Sequence, residues 1–261
     1  MKKNIILLGK NARKASLIKI STQIKDRVLK KFIFLIKKEK KSILLENVKD
    51  LNIAKKNGIE KNLMERLILN QKKIDLLIKS IKNIINLKDP TGKTLEKWKR
   101  PNGLTIRRVS EPIGVIGVIY ESRPNVTSDV ASLCFKSGSS VILKGGSESI
   151  NTNKILVKLF RKALKDNKVS TNFVQFISSK NRNSVDYLLS DMTKYIDVII
   201  PRGGKNLIKR VQELSKIPII GHLEGVCHTF VDKNANLEMA TKIIYNAKLR
   251  NTSICGATET I

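Results

Sequence analysis

The sequence predicts an α/β fold, a doubly wound parallel sheet preceded by a helical region. Three observations predict it. From Ile113 onward, short apolar runs alternate with helical patterns, the order that a parallel sheet with crossover helices requires. Residues 1 to about 88 repeat their apolar positions at helical spacing. Hydrophobic residues make up 41% of 261 positions and aromatics only 5%, so the chain can bury a core of Ile, Leu and Val and is not disordered.

Taken in order, Ser21 caps a helix whose apolar residues are Ile24, Val28, Phe32, Leu35 and Ile36. Gly58 ends the next helical stretch. Leu63, Leu67, Ile68, Ile74, Leu77, Ile78, Ile81 and Ile85 mark one long amphipathic helix, which Asp89-Pro90-Thr91-Gly92 stops. A basic two-strand segment follows, turning at Pro101-Asn102-Gly103. Strands are then expected at Val115–Tyr120, Val141–Lys144, Phe173–Ile177, Ile196–Ile200, Ile217–Ile220 and Val226–Val231. Helices run between them through Leu133, Leu159, Val185–Leu189 and Val211, with a last one through Met239 and Ile243.

Charge is the most unusual number: 51 Lys and Arg against 22 Asp and Glu, formally +29. The positive residues are spread along the chain and are not interleaved with aromatics as a single-strand binding face requires. Lys, Ile and Asn are abundant together, as an AT-rich genome writes them, so neither nucleic acid nor membrane is expected as partner. No run approaches the ~18 uninterrupted apolar residues of a membrane span. The apolar start, Ile5 to Leu8, is too short for a signal peptide. Three scattered cysteines make no disulfide framework, and a cytoplasmic location is expected.

Ligands of such sheets bind at the carboxyl ends of the strands. The residues there are Glu121-Ser122-Arg123-Pro124-Asn125, Lys144-Gly145-Gly146-Ser147-Glu148, Pro201-Arg202-Gly203-Gly204-Lys205 and Gly221-His222-Leu223-Glu224-Gly225. Glycine pairs that open directly into helices suit phosphate groups, because free N–H groups and the helix dipole face the loop. No G-x-G-x-x-G follows the first strand, and Asp89-Pro90-Thr91-Gly92-Lys93-Thr94 lacks the first glycine and the preceding strand of a P-loop. Cys134 sits in an apolar helical pattern and reads as a small buried hydrophobe. Cys227 and His222 fit no zinc spacing, and no metal is expected. Cys255, in a polar stretch of small residues just past a helix, is set as a nucleophile would be.

The stretches Glu111–Thr127, Val141–Glu148, Asp197–Gly204 and His222–His228, with the Cys255 segment, stand in the order found in the gamma-glutamyl phosphate reductase family, a branch of the aldehyde dehydrogenase superfamily. The sequence resembles that family from about residue 10 to Ile261. The resemblance implies an aldehyde dehydrogenase-like fold and NADPH-dependent reduction of L-glutamate 5-phosphate to glutamate 5-semialdehyde, a step of proline synthesis. It implies that the Cys255 thiolate expels phosphate and forms a thioester, which hydride then reduces, with the Cys255 N–H and the Asn125 amide holding the oxyanion. Lys144 and Ser147 would hold the extra phosphate of NADP, with Glu148 beside them. Gly203 and Gly204 would admit the pyrophosphate. Glu224 matches the place where hydrolytic relatives keep a general base, and a structural or orienting role is open to it.

Further implied are a homo-oligomer for the full-length family and glutamate 5-kinase as a partner. Two departures stand out. Asn251-Thr252-Ser253 replaces an Arg-Pro-Gly common in the family, and family members continue well past Ile261. Residues 1–225 are therefore expected to form the helical region and cofactor domain, and 226–261 the start of an incomplete catalytic domain, with an exposed apolar face. The alternatives are an inactive or complementing fragment, another acyl-phosphate or aldehyde reductase, or a basic binding module.

Overall fold

The computed structural model describes residues 2–261, except 122, 180, 182, 222–224, 251 and 253–255, and the side chains of Lys61 and Asn62. Five helices open the chain: α1 (Lys2–Ser16), α2 (Thr22–Lys38), α3 (Lys40–Lys56), α4 (Lys61–Leu67) and α5 (Gln71–Asn86). A ribbon of β1 (Thr94–Lys99) and β2 (Thr105–Val109) follows, antiparallel and almost wholly exposed. Then come β3 (Val115–Tyr120), α6 (Pro124–Lys136), β4 (Ser140–Gly145), α7 (Ile150–Asp166), β5 (Val174–Phe176), α8 (Asn183–Ser190), β6 (Val198–Arg202) and α9 (Lys205–Leu214). The chain continues through β7 (Cys227–His228), α10 (Leu237–Leu249) and β8 (Thr258–Thr260).

Parallel strands in the order β5-β4-β3-β6 make the central sheet. Successive residues of a strand point to opposite faces, and the apolar residues sort accordingly. Ile116, Val118, Val141 and Leu143 pack with α2, α5, α6 and α7. Val115, Ile119, Ile142 and Ile199 pack with α1, α8 and α9. The apolar start of the chain is the inner face of α1, which buries Ile5, Gly9, Ala12 and Ala15. Arg13 reaches Asp197 at 2.8 Å, and Asp197 also accepts the Val115 N–H at 2.7 Å, so α1 is tied to the head of β3.

The caps fall where the residue types place them. Ser21 accepts the Ile24 N–H at the start of α2. The 89–92 segment is a turn in which Asp89 accepts the Thr91 N–H at 3.0 Å. Asp89 also pairs at 2.9 Å with Lys25, whose side chain is only 2% exposed. Burial pushes this carboxyl up, but hydrogen bonds from Lys25, Thr91 and Thr22 outweigh it and hold it well below the usual carboxylate range.

Three expectations need correction. The long helix over 63–85 is two helices, α4 and α5. Asn47 of α3 breaks it: its side chain is buried, donates to the Leu67 carbonyl at 3.0 Å and accepts the Leu69 N–H at 2.8 Å. Asn70 then caps α5 by accepting the Lys73 N–H. Ile217–Ile220 forms no full strand, only a bridge between Ile219 and Ile199, because Pro218 has no N–H to give a ladder. Val226–Val231 shrinks to the two residues of β7, which pair with β8 in a separate sheet. No helix among the described residues is long and apolar enough to cross a membrane.

Candidate active site

After β3 the chain moves outward to β4 and β5, then returns to lay β6 on the other side of β3. The carboxyl ends of β3 and β6 therefore flank the point where the winding reverses, the crevice in which open α/β sheets bind ligands. Two helices start there, α6 behind Arg123 and α9 behind Gly204. A larger cavity of about 470 Å³ opens beside Gly114 and Gly138, which precede β3 and β4 at the opposite end of the sheet.

At the β6 side, Glu121 does what the sequence alone does not suggest. Its Oε2 accepts the Gly204 N–H at 3.0 Å, placing a carboxylate on the amino end of α9, where the helix dipole favours an anion. A Cβ on Gly203 would lie 2.7 Å from the Glu121 carboxyl carbon. The close approach that glycine permits here is thus made by the protein's own anion. Arg123 faces this group from the start of α6. Burial, then the neighbouring charges of Arg66 and Arg202, push its guanidinium below the ordinary value, with Glu121 opposing.

At the end of β4, Lys144 is buried and its Nζ donates to the Gly145 carbonyl at 2.9 Å. Burial pushes its ammonium down, with Glu148 opposing. Ser147 is exposed and donates to Glu148 Oε1 at 2.8 Å. Lys144 and Ser147 thus sit on one turn with different acceptors. Behind the turn runs a buried polar chain. Thr127 gives its proton to Asn153 at 2.7 Å, so the Tyr120 hydroxyl must be the donor in its 2.7 Å contact with Thr127. Asn153 in turn donates to Ser149. A Cβ on Gly145 would run into the Asn153 amide and come 3.1 Å from the Tyr120 ring. This chain ties the end of β3 to α6 and α7, with Gly145 of β4 packed against it, and burial pushes the Tyr120 phenol far up.

Asn125 stands in the first turn of α6, exposed, with its amide 3.4 Å from an Asp129 carboxylate oxygen. Both residues line a cavity of about 340 Å³, together with Arg66, Lys73, Leu76 and Ser80. Cys255, His222 and Glu224 lie outside the described residues. Cys134 is buried, and burial pushes its thiol up to about 12, so it holds no thiolate at neutral pH. Among the described residues, no group of three or more His, Cys, Asp or Glu gathers as metal ligands. Sequence reasoning missed Glu121, Arg123 and Arg202 as one cluster, although all three stood in the post-strand loops. Nothing in the sequence signalled Arg66.

The sheet order, the reversal point and the loops around it define a nucleotide-type α/β unit. The chain belongs to the aldehyde dehydrogenase family, whose model matches residues 11–261; that family uses nicotinamide cofactors. Within it, the chain is similar to the gamma-glutamyl phosphate reductase of Paramagnetospirillum magneticum. The two are 44% identical over 97% of this chain and 60% of that protein. The crystal structure of gamma-glutamyl phosphate reductase from Thermotoga maritima superposes with a TM-score of 0.92 at 38% identity, covering 98% of this chain and 62% of the other. The yeast enzyme, from Saccharomyces cerevisiae, gives 0.77 at 34% identity, with 95% and 63% covered. The chain thus spans about three fifths of the length of these relatives.

Proposed function

We propose that this chain carries the cofactor-binding unit and nucleophile loop of an NADPH-dependent reductase that converts L-glutamate 5-phosphate to L-glutamate 5-semialdehyde and phosphate in proline biosynthesis. The observation that carries the reading is the 44% identity, over nearly the whole chain, to a protein named gamma-glutamyl phosphate reductase. In this reading residues 1–225 form the helical region and cofactor domain, and 226–261 begin the catalytic domain. The protein acts in the cytoplasm. Homo-oligomerisation of full-length members and contact with glutamate 5-kinase belong to the same reading.

The residues at the reversal point fit the cofactor. Gly203 permits a close approach that the Glu121 carboxylate makes here, and the Gly204 N–H at the start of a ten-residue helix would pass from that carboxylate to the cofactor phosphate, with Arg202 beside them. Gly203 and Gly204 would hold the pyrophosphate, and Lys144, Ser147 and Glu148 the ribose and its extra phosphate. When bound, the nicotinamide supplies a hydride. The Cys255 thiolate attacks the acyl-phosphate carbonyl, the C–O bond to phosphate breaks, and the acyl group stays on sulfur as a thioester. The Asn125 amide and the Cys255 N–H donate to the oxyanion as it forms. Titration of the folded chain with NADPH and NADH, followed by fluorescence or calorimetry, tests the cofactor unit. Saturable NADPH binding is expected, and binding of neither nucleotide at millimolar concentration overturns it.

A further inference from the structure

We propose that the cavity between α5 and α6 receives the amino-acid head of the substrate, with its α-ammonium on Asp129 and its α-carboxylate on Arg66. The inference rests on the proposed reaction and assigns the part of the substrate that does not react.

Asp129 Oδ1 is buried and has no hydrogen-bond partner among the described residues, although the side chain lines the cavity. An ionised carboxylate oxygen left without a donor is costly, and an ammonium entering the cavity supplies the missing donor after a small turn about the soft terminal torsion. The other oxygen is held by the Asn125 amide at 3.4 Å. Burial pushes the Asp129 carboxyl up, with Ser80 and Asn125 opposing.

Two basic residues line the same cavity, and they are not equivalent. Lys73 gives its Nζ to the Glu65 and Ile68 carbonyls at 2.8 and 2.7 Å, closing the break between α4 and α5. Arg66, in the last turn of α4, makes no ion pair among the described residues, and its charge acts on that of another cation, Arg123. Arg66 therefore remains the group to receive a carboxylate, which its planar fork fits bidentately.

Spacing supports the pairing. Asn125 and Asp129 are one helical turn apart, about 6 Å along the face of α6. In an extended glutamyl chain the reacting carbonyl carbon and the α-nitrogen are separated by four bonds of about 1.5 Å each, a span of roughly 5 Å. A substrate with its carbonyl at Asn125 thus brings its ammonium to Asp129.

The test compares binding of L-glutamate, glutarate and 4-aminobutyrate to the whole chain by calorimetry or NMR. Glutarate lacks the ammonium, and 4-aminobutyrate lacks the α-carboxylate. Wild type is expected to favour L-glutamate over each by about tenfold or more, the worth of one charged hydrogen bond. Asp129→Asn should abolish the preference over glutarate alone, and Arg66→Gln the preference over 4-aminobutyrate alone. Equal binding of the three ligands by wild type, or binding of none at millimolar concentration, overturns the proposal without recourse to any variant. So does loss of both preferences in one folded variant. NADPH titration of the same samples separates this from the parent reading. Cofactor binding without ligand preference sinks the head-group site alone, and preference without cofactor binding sinks the cofactor unit.

Discussion

Strands β3 and β4 bury every one of their residues, whereas α10 buries none. Apolar content does not explain the difference. Leu237, Met239, Ile243, Tyr245 and Leu249 give α10 as much to bury as many core helices, yet they are 72, 58, 52, 69 and 56% exposed. What differs is the presence of facing surfaces. The strands lie between two helical layers held by their own apolar clusters, while α10 has an apolar face with nothing over it among the described residues. Packing is thus complete around the central sheet, while the apolar face of α10 is left uncovered.

The largest expected effect concerns chemistry. Holding reactants at near-attack geometry supplies about 7–11 kcal/mol of a barrier, and the apolar face of α10, the helix that precedes the proposed nucleophile in sequence, is exposed. The chain by itself is expected to show little or no reductase turnover, and Cys255→Ser should leave NADPH affinity nearly unchanged. A Cys255-dependent rate in the ordinary range of about 1–1000 per second would break the contrast between the two regions.

The next effect probes the packed region. Asp89→Asn leaves the buried Lys25 ammonium without its charge partner and should cost about 3–5 kcal/mol, or roughly 6–20 °C in a protein of this size. The Asp89 carboxyl is depressed in the folded state. Its contribution is therefore present above the ordinary carboxylate value of about 4 and lost as pH falls further. Urea melts should show wild type losing stability below that pH and the variant losing less. Parallel curves would place the stabilisation elsewhere.

The smallest effect belongs to the exposed helix. Tyr245→Glu or Leu249→Glu should change stability by no more than about 0.5 kcal/mol. Either should also reduce binding of an apolar dye and slow aggregation, as expected when an exposed apolar patch is broken. A loss of several kcal/mol would mean that α10 is packed after all.

How far the sequence could be read follows from the distance over which each feature is decided. Ser21, the 89–92 turn and the central strands are settled by neighbours a few residues away, and periodicity finds them. The break between α4 and α5 is decided by Asn47, some twenty residues upstream of Leu67. Local apolar spacing continues through that break as if nothing happened. Ile217–Ile220 looked like a strand because its residue types suit one, and Pro218 limits its pairing. Position after a strand was enough to place Lys144, Ser147, Glu148, Gly203 and Gly204 at the carboxyl ends of β4 and β6. It did not show that Glu121 reaches Gly204 across 83 positions, or that Arg66 comes to the same corner as Arg123.

The Asp50 carboxylate of α3 accepts the backbone N–H groups of Asn151 and Thr152 at 3.1 and 2.8 Å, and the Thr152 hydroxyl as well. A helix in the opening bundle thus carries the cap of a helix that begins about a hundred residues later. During synthesis the opening helices leave the ribosome long before α7 exists, and Asp50 then has nothing to cap. Contacts of such long range form late, after loop closure has been met. The opening helices should consequently emerge as a loose, amphipathic set whose order is acquired only when the second half of the sheet arrives. For a nascent chain, that interval is when chaperones have most to hold.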